Sequence, residues 1–496
     1  MPKLFPRGCS SRDSTPWIRS IAERQSWNTV RGTRSSVEAL IMHSSTSTLA
    51  SLALLITRAL SRGPNSYHFD PLEHLAGVTP PFDPLDPALD PAPPQGCNVT
   101  RAAVLSRHSS IKANDFDWEN FINPFVQKLS QTPVDWAKIP NLSFLATWKP
   151  PNGLPEKGAL SLDGKMQASR LGVDVSQRYQ KLRIPKKIWT AGARRVVESA
   201  KSFAAGMADN PRDIEVVELY EGKLEAANSL TPYKGCPRYS AGAGNEKATT
   251  FRNLYTAAPM ARFNAVAPAF KFTPSDIYGM SLLCGYETVL RGSSPFCDLD
   301  VLTPNEWLGF EYNNDISYYH STGYGSPVAG ALGLPYVRAT FNRLMAKHDT
   351  TSNATADQDL FVSFTHRQLP PTVFVAMGLY NNSAFSGAND VHSSMPLDRI
   401  NHRRAWKSSH IIPFLTNLAI EKMECDSFAF APGTYYRALV NNSPQPLEGC
   451  SNGPGESCPG KDLPGWLEGR AKVVGEYCAT CGVNYPNGTN VLSIFD

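Results

Sequence analysis

The chain has 496 residues, which exceeds the size at which one hydrophobic core usually keeps growing, so we expect two domains or one domain with a large insertion. Its formal net charge is only +4, and no block of Lys and Arg dominates the chain after its N-terminal region. This composition argues against a nucleic-acid-binding protein. Beyond the N-terminal region there is no run of about 20 apolar residues, so we expect no stable membrane association.

The N-terminal region predicts a leader rather than a folded element. Residues 1–41 are rich in Arg and Ser and contain no apolar run, and we interpret them as a gene-model extension or a disordered segment. From Met42, the sequence MHSSTSTLASLALLITRALS is typical of a signal peptide over residues 42–61, which predicts a secreted protein. Residues 62–97 are rich in Pro and Asp and predict an extended, turn-rich segment.

The cysteines also favour an extracellular protein. Ten of them are scattered singly along the chain, as in disulfide-bonded secreted proteins. Cys478 and Cys481 have CxxC spacing, but no nearby histidine or second pair completes a zinc site, so we expect neither a metal nor another cofactor. Glycosylation sequons point the same way and occur at Asn98, Asn141, Asn353, Asn381, Asn441 and Asn487.

Three basic pairs follow predicted strands. Arg107-His108 ends an apolar run, Arg194-Arg195 follows the short strand Ile188–Thr190, and His366-Arg367 follows the strand Leu360–Thr365. Open α/β sheets bind ligands at the carboxyl ends of their strands. Arginines that meet there can bind the nonbridging oxygens of a phosphoryl group, and a histidine can attack its phosphorus. The pattern therefore predicts a phosphoryl-transfer site.

The rest of the chain predicts an α/β domain interrupted by a helical one. We assign residues 98–227 and 349–496 to the α/β domain and residues 228–348 to a mainly helical inserted domain. Helical periodicity supports helices over residues 118–129, 160–182, 195–203, 247–263, 273–284, 305–318 and 372–379. Strands over residues 428–430 and 437–440 are predicted to close the sheet. Loops around residues 239–247 and 312–324 are expected to set the leaving-group specificity.

From about Cys97 to Cys478, the chain resembles the histidine acid phosphatase family, which includes fungal phytases. The pieces that carry the resemblance fall in the family's order and include Ser106-Arg-His-Ser109, Arg194–Phe203, Cys284-Gly-Tyr-Glu-Thr-Val-Leu, Phe364-Thr-His366 and Met377-Gly-Leu-Tyr-Asn381. The resemblance implies a mixed, largely parallel sheet flanked by helices, with a smaller helical domain inserted over the pocket.

The family's site residues can be carried over to matching positions. The resemblance implies that His108 is the nucleophile, that Arg107 and Arg195 bind the phosphate, and that His366 is a further donor to it. Arg194 precedes the matching arginine and is expected to face solvent. The resemblance also implies four disulfides, which are Cys97 to Cys425, Cys236 to Cys478, Cys284 to Cys297 and Cys450 to Cys458.

The chain departs from the family motif Arg-His-Gly-x-Arg-x-Pro after the nucleophile. Ile111 stands where the second phosphate-binding arginine is expected. The neighbouring Lys112 is a candidate replacement, although it should point to the other side of an extended segment. Arg367 is a second candidate, because it would restore the phosphate-binding charge that Ile111 removes.

The general acid is also missing from its expected place. The family's usual His-Asp is here His366-Arg367-Gln368, and neither Arg nor Gln can donate a proton near neutral pH. The multiple inositol polyphosphate phosphatases carry a Glu two residues after this histidine, where this chain has Gln368. Other carboxyl groups are close in the sequence to the predicted site. Asp115 and Asp117 follow the nucleophile, and Asp357 and Asp359 precede the strand Leu360–Thr365, but the sequence places none of them at the leaving oxygen.

Two functions are compatible with these residues. The first is a secreted acid phosphomonoesterase that works through a phosphohistidine on His108, with a small phosphate ester as substrate and phytate among the candidates. The alternative is a catalytically weak or inactive member that binds an anionic ligand as an extracellular glycoprotein. We favour the enzyme, because a retained nucleophile with its charged partners is costly to explain structurally. The sequence makes no prediction of the oligomeric state.

Overall fold

A mixed sheet of eight strands forms the centre of the protein. The computed structural model describes residues 69–84, 87–154, 156, 158–347, 358–383 and 394–495. The predicted extension and signal peptide, the sequon at Asn353 and the carboxyl group of Asp357 lie outside these residues. The strands are β1 (Cys97–Arg107), β2 (Lys187–Ala191), β3 (Glu215–Leu219), β4 (Leu360–Thr365), β5 (Asn417–Cys425), β6 (Gly433–Val440), β7 (Ser443–Gln445) and β8 (Cys458–Pro459).

The strand order is β3-β2-β4-β1-β5-β6-β7, with β8 also paired to β6. The four strands from β3 to β1 are mutually parallel, whereas β5 to β8 add antiparallel pairs. The predicted mixed sheet with a largely parallel core is therefore confirmed. This order places the carboxyl ends of β2, β4 and β1 side by side at one edge.

Helices flank the sheet and fill the stretch between β3 and β4. In chain order they are α1 (Asn123–Gln131), α2 (Leu162–Arg178), α3 (Arg194–Met207), α4 (Asn245–Tyr255), α5 (Ala257–Val266), α6 (Pro274–Arg291), α7 (Pro304–Ser321), α8 (Ala329–Met345), α9 (Leu369–Met377), α10 (Ser408–Ile411), α11 (Leu463–Val474) and α12 (Tyr477–Cys481). A helical turn at Asp115–Asp117 and a π-helical turn at Trp118–Ile122 precede α1. Contacts join Asp70–Asp496 into one compact unit, which includes α4 to α8.

Helix α2 begins against the loop that follows His108. Ser161 caps α2 by accepting a hydrogen bond from the backbone N–H of Gly164, and its hydroxyl donates to the carbonyl oxygen of Ser110. A Cβ atom at residue 164 would collide with this same carbonyl group, so only glycine allows the close approach. The start of α2 therefore fixes the backbone beside the predicted nucleophile.

One predicted strand is wrong. Residues 428–430 lie in the turn between β5 and β6, where Phe428 is fully exposed, so this apolar pair does not mark a buried strand. The strand at residues 437–440 is confirmed as the end of β6. The sequence did not predict β3 or β5.

Three of the four predicted disulfides are confirmed, namely Cys97–Cys425, Cys284–Cys297 and Cys450–Cys458. The fourth prediction is wrong, because Cys236 is bonded to Cys481 rather than to Cys478. The backbone explains the choice, since the Cα atoms of Cys236 and Cys481 are 4.9 Å apart and the N–H of Arg238 donates to the carbonyl of Cys481. Cys478 is itself disulfide-bonded.

The sequons differ in exposure. Asn98, Asn141 and Asn487 are exposed and Asn381 is half-buried. Asn441 is only 3% exposed and its Nδ2 donates to the carbonyl of His410, so the structure argues against the predicted glycan at this position. Among the described residues, none of the helices combines the length and the apolar composition that a membrane crossing requires.

Candidate active site

The parallel pairing of β1 with β4 brings the two predicted histidines together. Arg107 lies opposite Thr365 in the register, and the N–H of His108 donates to the carbonyl of Thr365 at 2.9 Å. His108 and His366 thus follow neighbouring strand ends, and their ring centroids are 5.9 Å apart. Helix α3 begins after β2, the neighbour of β4, and brings Arg195 to the same edge.

These residues surround a cavity of about 220 Å³, which we call the basic pocket. Its lining residues are Arg107, His108, Ile111, Asn114, Asp115, Phe116, Gly158, Arg195, His366, Arg367 and Gln368. The structure therefore brings together the three basic pairs that the sequence placed after separate strands, except for Arg194. The Arg194 side chain is 91% exposed and pairs with Glu198, as expected for a solvent-facing residue.

His108 is buried and held in one orientation. Its Nδ1 lies 2.9 Å from the carbonyl oxygen of Ser109, so an N–H at Nδ1 donates there and Nε2 keeps its lone pair. Burial lowers the pKa of His108 well below 6.5, and the charges of Arg107 and Arg195 act in the same direction. A neutral imidazole with a free ring nitrogen has the form that a nucleophile needs.

The guanidinium of Arg107 is fixed by the backbone and by one aromatic ring. Its Nη1 donates to the carbonyl oxygens of Gly77 at 2.8 Å and of Ile412 at 2.5 Å. Its central carbon lies 4.4 Å from the centroid of the Phe414 ring. Burial, followed by the charge of Arg367, lowers the pKa of Arg107 to about 9, so this group remains a cation at acid and neutral pH.

His366 is engaged by protein groups at both ring nitrogens. Its Nδ1 lies 3.1 Å from Nη2 of Arg195, and its Nε2 lies 3.0 Å from Oε1 of Glu221. Since arginine can only donate and the carboxylate can only accept, Nδ1 is the acceptor and Nε2 carries the proton. In this geometry neither ring nitrogen of His366 has an N–H left for a phosphate, so direct donation by His366 stays a prediction that the structure does not support.

Glu221 is a site residue that the sequence analysis missed. Besides His366, its carboxylate accepts hydrogen bonds from the backbone N–H of Ala193 at 2.8 Å and from Nζ of Lys234 at 2.6 Å. Burial raises its pKa, but the hydrogen bonds from His366 and Lys234 outweigh burial and lower the pKa to about 2. Glu221 is therefore an anion that orients His366. Glu221 lies two residues after the end of β3. Because the sequence did not predict β3, it did not place Glu221 at the site.

Arg367 supplies a third cation to the basic pocket. Its guanidinium carbon lies 5.8 Å from the Tyr318 ring centroid, and within the described parts of the chain its side chain makes neither a hydrogen bond nor an ion pair. Interaction with Tyr318 raises the pKa of Arg367 despite its burial, and Asp117 adds to this shift. The N–H donors of Arg367 are thus available to an anion.

The other candidate cation lies elsewhere. Lys112 forms an ion pair with Glu156 and is not among the residues that line the basic pocket, which agrees with its expected orientation to the other side of the segment and gives no support to it as the replacement cation. Alternation along the chain explains this, since the preceding Ile111 faces the pocket while bridging to Leu160. The pocket wall at residue 111 is therefore apolar.

The structure shows which of the candidate carboxyl groups lie at the basic pocket. Asp359 precedes β4, far along the strand from the pocket edge, and forms an ion pair with Arg183 at 2.9 Å. Asp117 is buried and accepts a hydrogen bond from the Tyr286 hydroxyl at 2.7 Å. Asp115 is exposed and lines the basic pocket. Only Asp115, among the described carboxyl candidates, shares a cavity with His108.

Comparisons with known proteins show which proteins this chain resembles. The profile of the histidine phosphatase superfamily (branch 2) matches residues 104–441. An acid phosphatase of Komagataella pastoris is 31% identical over 406 residues, which cover 78% of this chain and 81% of the relative. Phytase A of Aspergillus fumigatus is 26% identical, over 81% of this chain and 92% of its own.

A solved structure extends the likeness to the fold. The phytase from D. castellii superimposes with a TM-score of 0.75 at 21% identity, covering 87% of this chain and 92% of the phytase. The profile match spans both histidines and all three pocket arginines, and it includes β2, β3, β4 and the end of β1. The chain therefore belongs to the histidine phosphatase superfamily, branch 2.

Proposed function

We propose that this protein is an acid phosphomonoesterase that transfers the phosphoryl group of a small ester to Nε2 of His108 and then to water. The observation that carries the proposal is a neutral, buried imidazole facing Arg107, Arg195 and Arg367 in one pocket. Membership of the superfamily and the acid phosphatases and phytases among its relatives support a phosphoric monoester hydrolase over a non-catalytic protein.

The first step follows from the charges. The guanidinium groups bind the nonbridging phosphoryl oxygens and stabilise the charge that spreads over them during transfer. The lone pair of His108 Nε2 forms a bond to phosphorus while the bond to the ester oxygen breaks. His366 does not touch the phosphate in this mechanism. It is a positioning residue that holds Arg195, and Glu221 holds His366 in turn.

The leaving oxygen needs a proton, and we assign its donor to Asp115. Arg367 and Gln368 occupy the family's usual acid positions and cannot donate. Asp115 lines the same cavity as His108 and is accessible to solvent, from which it can be reprotonated. In the second step, a water transfers a proton to the Asp115 carboxylate and attacks the phosphorus. The bond to Nε2 breaks, and inorganic phosphate leaves.

The test is hydrolysis of p-nitrophenyl phosphate and of glycerol 2-phosphate at acid pH by the purified chain and by His108→Ala. We expect turnover of both esters by the wild type and none by the variant. His402→Ala, which removes an exposed histidine, is the matched control and should retain full activity. Failure of the wild type to hydrolyse either ester would contradict the proposal.

Secretion remains part of the proposal. Its support is the predicted leader from Met42 together with disulfides, which persist in oxidising compartments. N-terminal sequencing of protein recovered from culture medium should give a start shortly after residue 61.

A further inference from the structure

A second cavity adjoins the basic pocket. It has a volume of about 420 Å³ and shares Phe116, Arg367 and Gln368 with the basic pocket. Its other walls come mainly from Leu75, Gly77 and Val78, from residues 239–245 and from helices α6 and α7. We call this cavity the side chamber. Because the two cavities share Phe116, Arg367 and Gln368, an ester whose phosphate lies in the basic pocket would extend its alcohol portion into the side chamber.

The walls of the side chamber are mostly aromatic or polar and uncharged. Tyr239, Tyr278 and Tyr318 contribute rings with hydroxyl groups, and Asn245 and Asn314 contribute amides. Such a surface suits a neutral organic group, which it can contact through ring faces and a few hydrogen bonds.

Charge is nearly absent from the side chamber. Of the described residues that line it, the charged ones are Arg367 and Asp117, which have opposite signs. Arg367 also faces the basic pocket, so its charge is shared with the reacting phosphate. No lysine is among the described lining residues.

We propose that the side chamber binds the leaving group and selects monoesters of uncharged alcohols or phenols over polyphosphorylated substrates such as phytate. This inference rests on the proposed function, because it assigns the substrate class of the same site. In phytate, the five phosphates that do not react would each carry a charge of about −1 at acid pH. Binding them here would strip their water without supplying compensating cations, which disfavours the complex.

The direct test compares kcat/KM for phenyl phosphate and for phytate at one acid pH. We expect phytate to be disfavoured by roughly 100-fold or more, as for a ligand whose charges are left unpaired. Equal or higher kcat/KM for phytate would overturn the inference while leaving the phosphomonoesterase itself established.

A binding measurement decides the question even if no ester is hydrolysed. Calorimetry should show tighter binding of phenylphosphonate than of inositol hexasulfate, because both present a tetrahedral anion but only the second brings further charges into the side chamber. Tighter binding of inositol hexasulfate would overturn the inference. Loss of hydrolysis with the expected order of binding would count against the proposed function alone.

A variant that adds a positive charge tests whether the side chamber determines the selectivity between the two substrates. Asn245 is exposed, begins α4 and lines the side chamber, so Asn245→Lys should raise the ratio of kcat/KM for phytate to kcat/KM for phenyl phosphate by about 10-fold. Thr250→Lys adds the same charge at an exposed position of α4 outside the chamber and should change neither value. Equal responses of the two variants would contradict a role for the side chamber.

Discussion

Nε2 of His366 lies 3.0 Å from the carboxylate of Glu221, while Nδ1 of the same ring lies 3.1 Å from the guanidinium of Arg195. The imidazole thus connects an anion at the end of β3 to a cation at the start of α3. Since Arg195 lines the basic pocket, Glu221 acts on the phosphate site through two intervening side chains. This relationship assigns Glu221 a role that its position in the sequence did not suggest.

Glu221→Gln is expected to weaken phosphate binding. A glutamine cannot hold the Nε2–H of His366 with a full negative charge, so Arg195 loses its fixed orientation. We expect the inhibition constant of inorganic phosphate to rise and kcat to fall, each by roughly 10-fold or more. Glu198→Gln removes an anion from an ion pair with the exposed Arg194 and should leave both quantities unchanged.

The effect of Glu221→Gln on the stability of the fold should depend on pH. The folded-state pKa of Glu221 is about 2, below its ordinary value of 4.5, so this group stabilises the fold above pH 4.5 and loses that contribution as the pH falls towards 2. The difference in unfolding midpoint between wild type and Glu221→Gln should therefore shrink over this range. A difference that stays constant down to pH 2 would contradict the assigned ionisation.

The nucleophile should remain active in acid. His108 attacks in its neutral form, and its pKa lies well below 6.5, so protonation inactivates it only at a correspondingly low pH. We expect kcat/KM for p-nitrophenyl phosphate, corrected for ionisation of the substrate, to show no acid limb near pH 6.5. An acid limb at that pH that persists in Glu221→Gln would contradict a buried, neutral His108.

Asp115→Asn should distinguish esters by their leaving groups. Loss of a general acid costs roughly 100- to 10,000-fold with an alkyl leaving group such as glycerol, and much less with p-nitrophenolate, which needs no proton. The exposed Glu119→Gln is the control from the same segment. In the Asp115→Asn background, Gln368→Glu should restore part of the glycerol 2-phosphate activity, since residue 368 lines the same pocket. Equal losses with both esters would argue against proton donation by Asp115.

Arg367 and Arg194 provide a matched pair of arginines. Arg367→Gln removes a cation from the basic pocket and should lower kcat/KM by about 100-fold or more for every ester. Arg194→Gln removes an arginine whose side chain is 91% exposed and should have no measurable effect. If Arg367→Gln leaves kcat/KM unchanged, Arg367 does not replace the arginine that Ile111 displaced.

Three strands of the parallel core, β1, β2 and β4, could be predicted because each contains an apolar run that is followed by basic residues. Strand β4 is buried along its whole length, and its predicted bounds agree with the structure. In contrast, β3 is an edge strand with partly exposed residues, so it lacks a strong apolar signal. Because β3 was not predicted, Glu221, the group that orients His366, was not recognised as a site residue.

Strand β5 was missed for a different reason. It contains Glu421, whose side chain is buried because it accepts hydrogen bonds from Arg437 at 2.6 Å and from the Tyr179 hydroxyl at 2.9 Å. Tyr179 is distant in the sequence and Arg437 lies on the neighbouring strand β6, so the sequence alone does not show that Glu421 is paired and buried. The family resemblance implied a bond between Cys236 and Cys478, whereas the structure bonds Cys236 to Cys481, which lies three residues further along the same short helix.

The chemistry of the site was predictable only in part. The sequence identified the basic residues that meet at the strand ends, because the order of the strands along the chain constrains their positions. The sequence could not show that Asp115 lines the basic pocket, nor which groups the two ring nitrogens of His366 contact. Both depend on side-chain packing between distant segments.

The central claim is that His108 carries the phosphoryl group between the ester and water. The most direct measurement uses a substrate that is radiolabelled in its phosphoryl group. The enzyme is quenched rapidly during turnover, without acid, and the labelled peptide is then identified by peptide mapping. We expect a base-stable, acid-labile phosphoryl group on the peptide that contains His108, and none in His108→Ala. Turnover without any labelled protein, or a label that survives in His108→Ala, would contradict the account.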